Sequence, residues 1–168
     1  MLEGSTVVLE PQCAEHAAEM FALLSDPAIY EYENEPPASL EWLCERFARL
    51  ETRRSPDGAQ AWLNWVVRLP GAGLIGYVQA TLLPTGEAAI AYVFASKYWG
   101  RGLACEACEL MIAELAGRYG ARSVYAVFKQ RNVRSARLLG RLGFTPGLPE
   151  GRHAAGADEA VMLRSLHE

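Results

Sequence analysis

One mixed α/β domain of the α+β type is the fold that the sequence predicts, and three observations predict it. The chain has 168 residues, of which 51% are hydrophobic, enough for one domain with a sizeable core. Apolar residues recur with period two in some stretches and near 3.6 in others, so strands and helices share the chain. No internal repeat and no long linker divides it, and residues 1–168 read as a single domain.

The elements follow in order. The stretch STVVLE is β-branched and weakly alternating, which predicts a strand over 6–10. Ala17, Met20, Phe21 and Leu24 repeat at helical spacing over 13–24, and Asp26-Pro27 ends that helix. DPAIYEYENEPPASL reads as a loop. Ser39 caps a second helix with Leu40, Leu43, Phe47 and Leu50 as its buried stripe. After the break SPDGAQ come AWLNWVVRL, GLIGYVQATLL and EAAIAYVFAS, three β-rich runs joined by Pro/Gly turns, an antiparallel meander. A helix over 102–119 buries Leu103, Ala107, Leu110, Met111 and Leu115 and stops at Gly120. SVYAVFK is a further strand, 132–142 a helix closed by Gly143, and AVMLRSL the last strand.

The net charge of -4 hides a polarity. Residues 1–60 hold 12 acids and 4 bases, residues 61–168 hold 8 acids and 12 bases, and nine of those bases fall within 97–141. An anionic ligand for the second part and a cationic one for the first is the simple reading. A nucleic-acid partner is disfavoured by the acidic isoelectric point of about 5.5 and by the lack of aromatics interleaved with the bases. No stretch approaches the ~20 apolar residues of a membrane span and the start carries no leader, so the chain reads as cytoplasmic, with no membrane partner. Cys13, Cys44, Cys105 and Cys108 read as reduced thiols. Cys105-x-x-Cys108 lies inside a helical pattern with no second pair at zinc spacing, so no metal is expected.

The segment KYWGRGLACEA places two glycines and an arginine where a strand passes into a helix. Free amides at a helix N-terminus, approached closely across glycines, can hold a diphosphate. The nucleoside-triphosphate pattern G-x-x-x-x-G-K-[ST] is absent. The dinucleotide pattern fails at Cys105, and no acidic residue follows at ribose distance.

Together, KYWGRGLACEA and the later NVRSARLLGRLGF resemble the two motifs of the GNAT superfamily of acyl-CoA-dependent N-acetyltransferases. Lys97, Gly100 and Gly102 stand for Q/R-x-x-G-x-G/A. Asn132, Ser135, Leu138, Leu139, Gly143 and Phe144 fit the second motif. SDPAIYEYENEPPASLEWL is similar to the ribosomal-protein N-terminal (serine/alanine) acetyltransferase branch, so the resemblance spans nearly the whole chain.

The resemblance implies a central mixed, mostly antiparallel sheet flanked by helices, with a splayed strand pair that binds acetyl-CoA. Unpaired main-chain groups at Val93, Phe94 and Ala95 would bond the pantetheine like an added strand. Amides of Trp99, Gly100, Arg101, Gly102, Leu103 and Ala104 would hold the diphosphate, with Lys97 and Arg101 adding charge. Asn132 would bond the pantetheine. Arg134, Arg137 and Arg141 share one helix face, and Arg137 is placed at the ribose phosphate. Many relatives pair, which leaves a homodimer open.

Acetyl transfer needs a neutral amine, a polarised thioester carbonyl and a proton for the departing sulfur. Relatives keep a Tyr where Leu139 stands, so Ser135 is the expected proton donor. They keep a Glu where Ala89 stands, and Glu87, two residues back on the same strand face, is the candidate base, unless the amine arrives neutral. Tyr30, Tyr32 and Glu33 lie in an acidic loop suited to a cationic acceptor. A cysteine nucleophile at Cys105 would need a base, and His16, His153 and His167 show no suggestive spacing. The expected activity is acetyl transfer to a peptide N-terminus or a small-molecule amine. The alternative is a noncatalytic acyl-CoA-binding domain.

Overall fold

A computed structural model describes residues 1–152 and 154–167. In chain order the elements are β1 (Leu2–Glu3), β2 (Val8–Pro11), α1 (Ala17–Leu23), α2 (Leu40–Leu50), β3 (Ala61–Leu69), β4 (Gly73–Leu82), β5 (Glu87–Phe94), α3 (Leu103–Gly117), β6 (Ser123–Lys129), α4 (Val133–Arg141), β7 (Thr145–Pro146) and β8 (Glu159–Ser165). One sheet holds all eight strands in the order β1-β2-β3-β4-β5-β6-β8-β7. Every adjacent pair is antiparallel except β5 with β6. The predicted order of elements is present, with the two-residue β1 and β7 added. No helix among the described residues is long and apolar enough to cross a membrane.

The period-two pattern divides the core in two. Trp65, Val67 and Ile75 pack with α3 and α4 residues such as Ala107, Met111 and Leu139, while Val66 and Leu74 pack with Ala17, Met20, Leu43 and Phe47 of α1 and α2. The helix termini carry the caps their sequences announce. Ser39 Oγ accepts from Trp42 N–H at 3.0 Å, and Asn132 Oδ1 accepts from Ser135 N–H at 3.1 Å.

Two expectations about helices are corrected. The first helix is shorter than 13–24: His16 Nδ1 accepts the Cys13 N–H at 3.1 Å, which closes a tight 3-10 turn over Ala14–His16 before α1 begins. The stripe of α2 is narrower than expected, because Leu40, in its first turn, projects past the sheet and is 40% exposed.

β5 and β6 pair at three positions only, Glu87 with Ser123, Ala88 with Val124 and Ala89 with Tyr125. Beyond these, β5 stays with β4 as far as Gly76–Phe94 and β6 stays with β8 as far as Lys129–Glu159. A fork therefore opens between 90–94 and 126–129, the splay that the motifs imply.

Candidate active site

Which main-chain groups face the fork follows from the ladder, because alternate residues of an antiparallel strand turn both N–H and C=O to the same neighbour. Leu83 N–H donates to Glu87 C=O at 2.9 Å, and Ala95 N–H donates to Ile75 C=O at 3.0 Å, so the odd-numbered residues of 87–95 bond β4. The even ones, Ile90, Tyr92 and Phe94, face the fork. This corrects the expectation for Val93 and Ala95, whose main-chain groups belong to the sheet. Phe94 C=O accepts from Trp99 Nε1 at 2.9 Å, leaving the Tyr92 main chain and the Phe94 N–H turned into the gap.

The fork opens into a cleft of about 660 Å³ bounded by the N-terminal ends of α3 and α4. Most of the expected cofactor residues line it: Val93, Phe94, Trp99, Gly100, Gly102, Leu103, Ala104, Asn132 and Arg137, together with Ser135, Tyr32 and Glu33. Ala95, Lys97 and Arg101 do not. Lys97 sits in a 3-10 turn over Ser96–Tyr98, and its ammonium and the Arg101 guanidinium both lie against the Tyr98 ring, at 5.2 and 5.6 Å from its centroid.

The 3-10 turn also trims the expected row of phosphate-binding amides at its start. Tyr98 and Trp99 N–H groups are engaged by Ala95 and Ser96 carbonyls, which removes Trp99 as an amide donor. Gly102, with φ +77°, is the cap of α3, and the first helical bond runs from Glu106 N–H to Gly102 C=O. Leu103, Ala104 and Cys105 therefore carry the free first-turn amides. The Gly100, Arg101 and Gly102 amides make no hydrogen bond among the described residues either, so of the expected donors only Trp99 is engaged, and Cys105 adds one at the far end.

Positive charge reaches the cleft from α4 instead of from the turn. Arg134, Arg137 and Arg141 all line it, and the Arg134 guanidinium stacks 3.5 Å over the Trp99 ring. Asn132 spends its oxygen on the α4 cap and keeps its amide donors for a ligand.

At the fork itself Ser135, 8% exposed, shares a short hydrogen bond with the Tyr92 hydroxyl. Burial pushes the Tyr92 phenol far above its ordinary value, so it stays protonated, with the Ser135 bond working in the opposite sense. Tyr92 is the cleft residue that sequence reasoning missed; its signal is a phenol on the strand face otherwise held by Ala88, Ile90 and Phe94. Leu139 is wholly buried in the core and faces no cleft.

Glu87 does not join them. It begins β5 at the closed end of the fork, five residues from Tyr92, roughly 17 Å along a strand. It is 7% exposed, and its Oε1 accepts the Glu150 N–H at 2.8 Å, so its role is to tie the 145–150 segment to the sheet. Cys105 lines the cleft, but burial raises its thiol pKa and no histidine among the described residues lines the cleft with it. His16 instead contacts Cys13 and Glu10, and His153 lies outside the described residues.

A second cleft, of about 390 Å³, lies on the α2 side of the sheet between the 29–37 loop, α2 and β4. Tyr30 lines this one, its hydroxyl donating to Leu24 C=O. Tyr32 lies under the Arg131 guanidinium at 5.6 Å. The two clefts share Ile29, Asn34 and Val93 and so meet at the open end of the fork.

The loop between them is moored by Asp26, whose Oδ2 accepts from Ser96 N–H at 2.7 Å and Ser96 Oγ at 2.6 Å, while Oδ1 accepts from Ala28 N–H at 3.0 Å. The bonds from Ser96 hold its carboxyl below the usual range. A depressed folded-state pKa contributes stability that is present above the unfolded value and lost as pH falls through the folded one. Asp26→Asn is expected to lower stability by about 1–2 kcal/mol at pH 7. In urea titrations the gap between variant and parent should narrow as pH falls below the ordinary aspartate value of 3.8.

Residues 6–145 match the family model described as Acetyltransferase (GNAT) domain. The chain belongs to the GNAT acetyltransferase family. Solved acetyltransferases share its fold across nearly the whole length. The microcin C7 self-immunity acetyltransferase MccE, in complex with acetyl-CoA and AMP, superposes with a TM-score of 0.80 at 15% identity, over 97% of this chain and 94% of that one. The ribosomal-protein-S5-alanine acetyltransferase from Vibrio fischeri gives 0.79 at 18%, over 97% and 94%. RimL, a ribosomal L7/L12 α-N-protein acetyltransferase in complex with coenzyme A, gives 0.78 at 16%, over 96% and 95%. At these identities the likeness is one of fold. No curated protein matches the chain in sequence at a significant level. This GNAT chain has the features acetyl-CoA requires: strand-like donors in a fork, open first-turn amides and three arginines on one helix face.

Proposed function

We propose that the protein moves an acetyl group from acetyl-CoA to a primary amine, of a peptide N-terminus or a small molecule, by direct attack. One observation carries this reading: two clefts reach the open end of the fork from opposite faces of the sheet, so a donor in one and an acceptor in the other meet at Val93. Bound acetyl-CoA supplies a thioester, an activated acetyl group.

The Phe94 N–H, turned into the fork, donates to the thioester carbonyl oxygen, where negative charge builds as the amine attacks. The diphosphate lies on the Leu103, Ala104 and Cys105 amides, and Arg137 and Arg141 neutralise the remaining phosphate charge. Tyr92 donates to Ser135 Oγ, which leaves the Ser135 proton free to turn towards the departing sulfur. Glu33, lining the donor cleft, and Glu35, lining the acceptor cleft, draw the acceptor in as its ammonium. One proton then leaves to water before attack, and the second, shed by the nitrogen as the C–S bond breaks, restores the proton that Ser135 gives to sulfur.

No histidine among the described residues lines either cleft, so the rise of kcat/KM with pH is expected to follow the acceptor's own amine pKa. Acceptors of different basicity should shift the profile in step; a profile that stays fixed would assign the base to the protein. A noncatalytic binder, suggested by Ala89 and Leu139, has no use for a second cleft or for a hydroxyl pair at the fork. The deciding experiment is thiol release from acetyl-CoA against a panel of N-terminal peptides, polyamines and aminoglycosides. Free thiol with at least one class is expected. Calorimetric binding of CoA with no thiol from any acceptor would leave only the binder.

A further inference from the structure

The acceptor cleft does not end at α2. It continues into an outer groove of about 770 Å³, and Arg46 and Leu50 line both. This groove carries Arg46, Arg49 and Arg54, with Trp62 along it. Arg46 and Arg49 stand one turn apart on the exposed side of α2, and neither they nor Arg54 enters an ion pair among the described residues. The groove's one carboxylate, Asp57, is exposed and accepts from Ser55 Oγ and Ala59 N–H through Oδ1, so the three arginines outnumber it. Nearer the fork, the Arg46 guanidinium rests 5.7 Å over the half-exposed Trp42 ring, and Gln12 Nε2 is buried in the cleft wall without a hydrogen-bond partner.

Three unpaired arginines in a groove that prolongs an acceptor site are complementary to an acidic chain. We propose that the acceptor is a peptide whose terminal amine enters at the fork and whose downstream residues, bearing carboxylates, lie along Arg46, Arg49 and Arg54. This rests on the acetyl transfer proposed above and names its substrate class. The two ends of the path carry opposite charge, Glu33 and Glu35 towards the amine and the arginines towards the tail, so the site reads direction as well as charge. An extended peptide advances about 3.3–3.6 Å per residue, so its third and fourth residues stand roughly 7–11 Å beyond the first.

The test uses three amidated peptides that differ only at their third and fourth positions, Asp-Asp, Ala-Ala and Lys-Lys, assayed by thiol release. The order Asp-Asp above Ala-Ala above Lys-Lys is expected, with at least tenfold in kcat/KM between the extremes and compression of that ratio by high salt. The double variant Arg49→Glu/Arg54→Glu should invert the order, with retained CoA affinity reporting an intact fold. Phosphoserine at the third position in place of Asp distinguishes a general anion site, in which it matches or exceeds Asp, from a carboxylate site, in which it falls behind. Equal rates, or a preference for Lys-Lys, would overturn the acidic-peptide assignment while acetyl transfer stands. Thiol release from none of the peptides and from no other amine would overturn both.

Discussion

Ser135→Ala is expected to lower kcat about a hundredfold while CoA affinity stays within a factor of about two, in line with the ~10²–10⁴ that a positioned proton donor contributes. The asymmetry follows from geometry. Ser135 Oγ is at the fork, where the proposed reaction releases sulfur, whereas the proposed diphosphate site lies apart from it, at the start of α3 and the α4 arginines. The substitution also removes the hydrogen-bond partner of the half-buried Tyr92 hydroxyl, which costs about 0.5–1.5 kcal/mol, so a melting curve must accompany the rate. Tyr92→Phe supplies the control. It removes the partner and leaves Ser135 in place but unaimed, so about a tenfold loss is expected, and the double variant should be no slower than Ser135→Ala alone. Pre-steady-state rates with an acceptor in excess measure the chemical step directly. An unchanged rate in Ser135→Ala would remove the serine from the reaction.

The contrast between Ser135 and Glu87 marks how far the sequence could be read. Both are buried polar residues beside the predicted sheet, and period-two reasoning puts Glu87 on the strand face where Ala89 replaces the relatives' Glu. What the pattern does not contain is where β5 and β6 stop pairing. That point, after Ala89 and Tyr125, is set by how β8 and β4 draw the two strands apart, and it leaves Glu87 at the closed end. The meander, the four helices and the Ser39 cap were legible because Gly, Pro and Ser39 act within a few residues of themselves; the capping role of Asn132 was not read. Of the amides expected at the diphosphate, only that of Trp99 is taken, by the 3-10 turn over Ser96–Tyr98, which no local signal in the sequence announces. Tyr92 with Ser135 and Arg134 over Trp99 are pairs brought together across the fork, and contacts of that range leave no trace in a single sequence.

Gly76→Ala should damage the protein more than its one added carbon suggests. Gly76 is buried opposite Phe94 in the last pair of the β4–β5 ladder, at the open end of the fork. A Cβ there would overlap the Val93 carbonyl oxygen and lie 2.7 Å from Phe94 Cδ1 and 3.0 Å from Phe94 Cα. Two of those three are backbone atoms of the segment that presents the Phe94 N–H, so the strand must move rather than a side chain swing aside. Overpacking of this kind costs about 1–3 kcal/mol, which in a domain of this size lowers Tm by roughly 2–12 °C. The functional loss should be larger than the thermal one. An N–H displaced by even half an ångström no longer meets the developing oxyanion, and at least a hundredfold fall in kcat/KM is expected. Gly140→Ala is the matched comparison: nothing lies within 4 Å of its added Cβ on the exposed side of α4, so it should raise stability by up to about 1 kcal/mol and leave kcat/KM alone. If Gly76→Ala retained full activity at a lowered Tm, the close approach of β4 and β5 would be a packing matter only, and the carbonyl-polarising donor would have to be sought elsewhere in the fork.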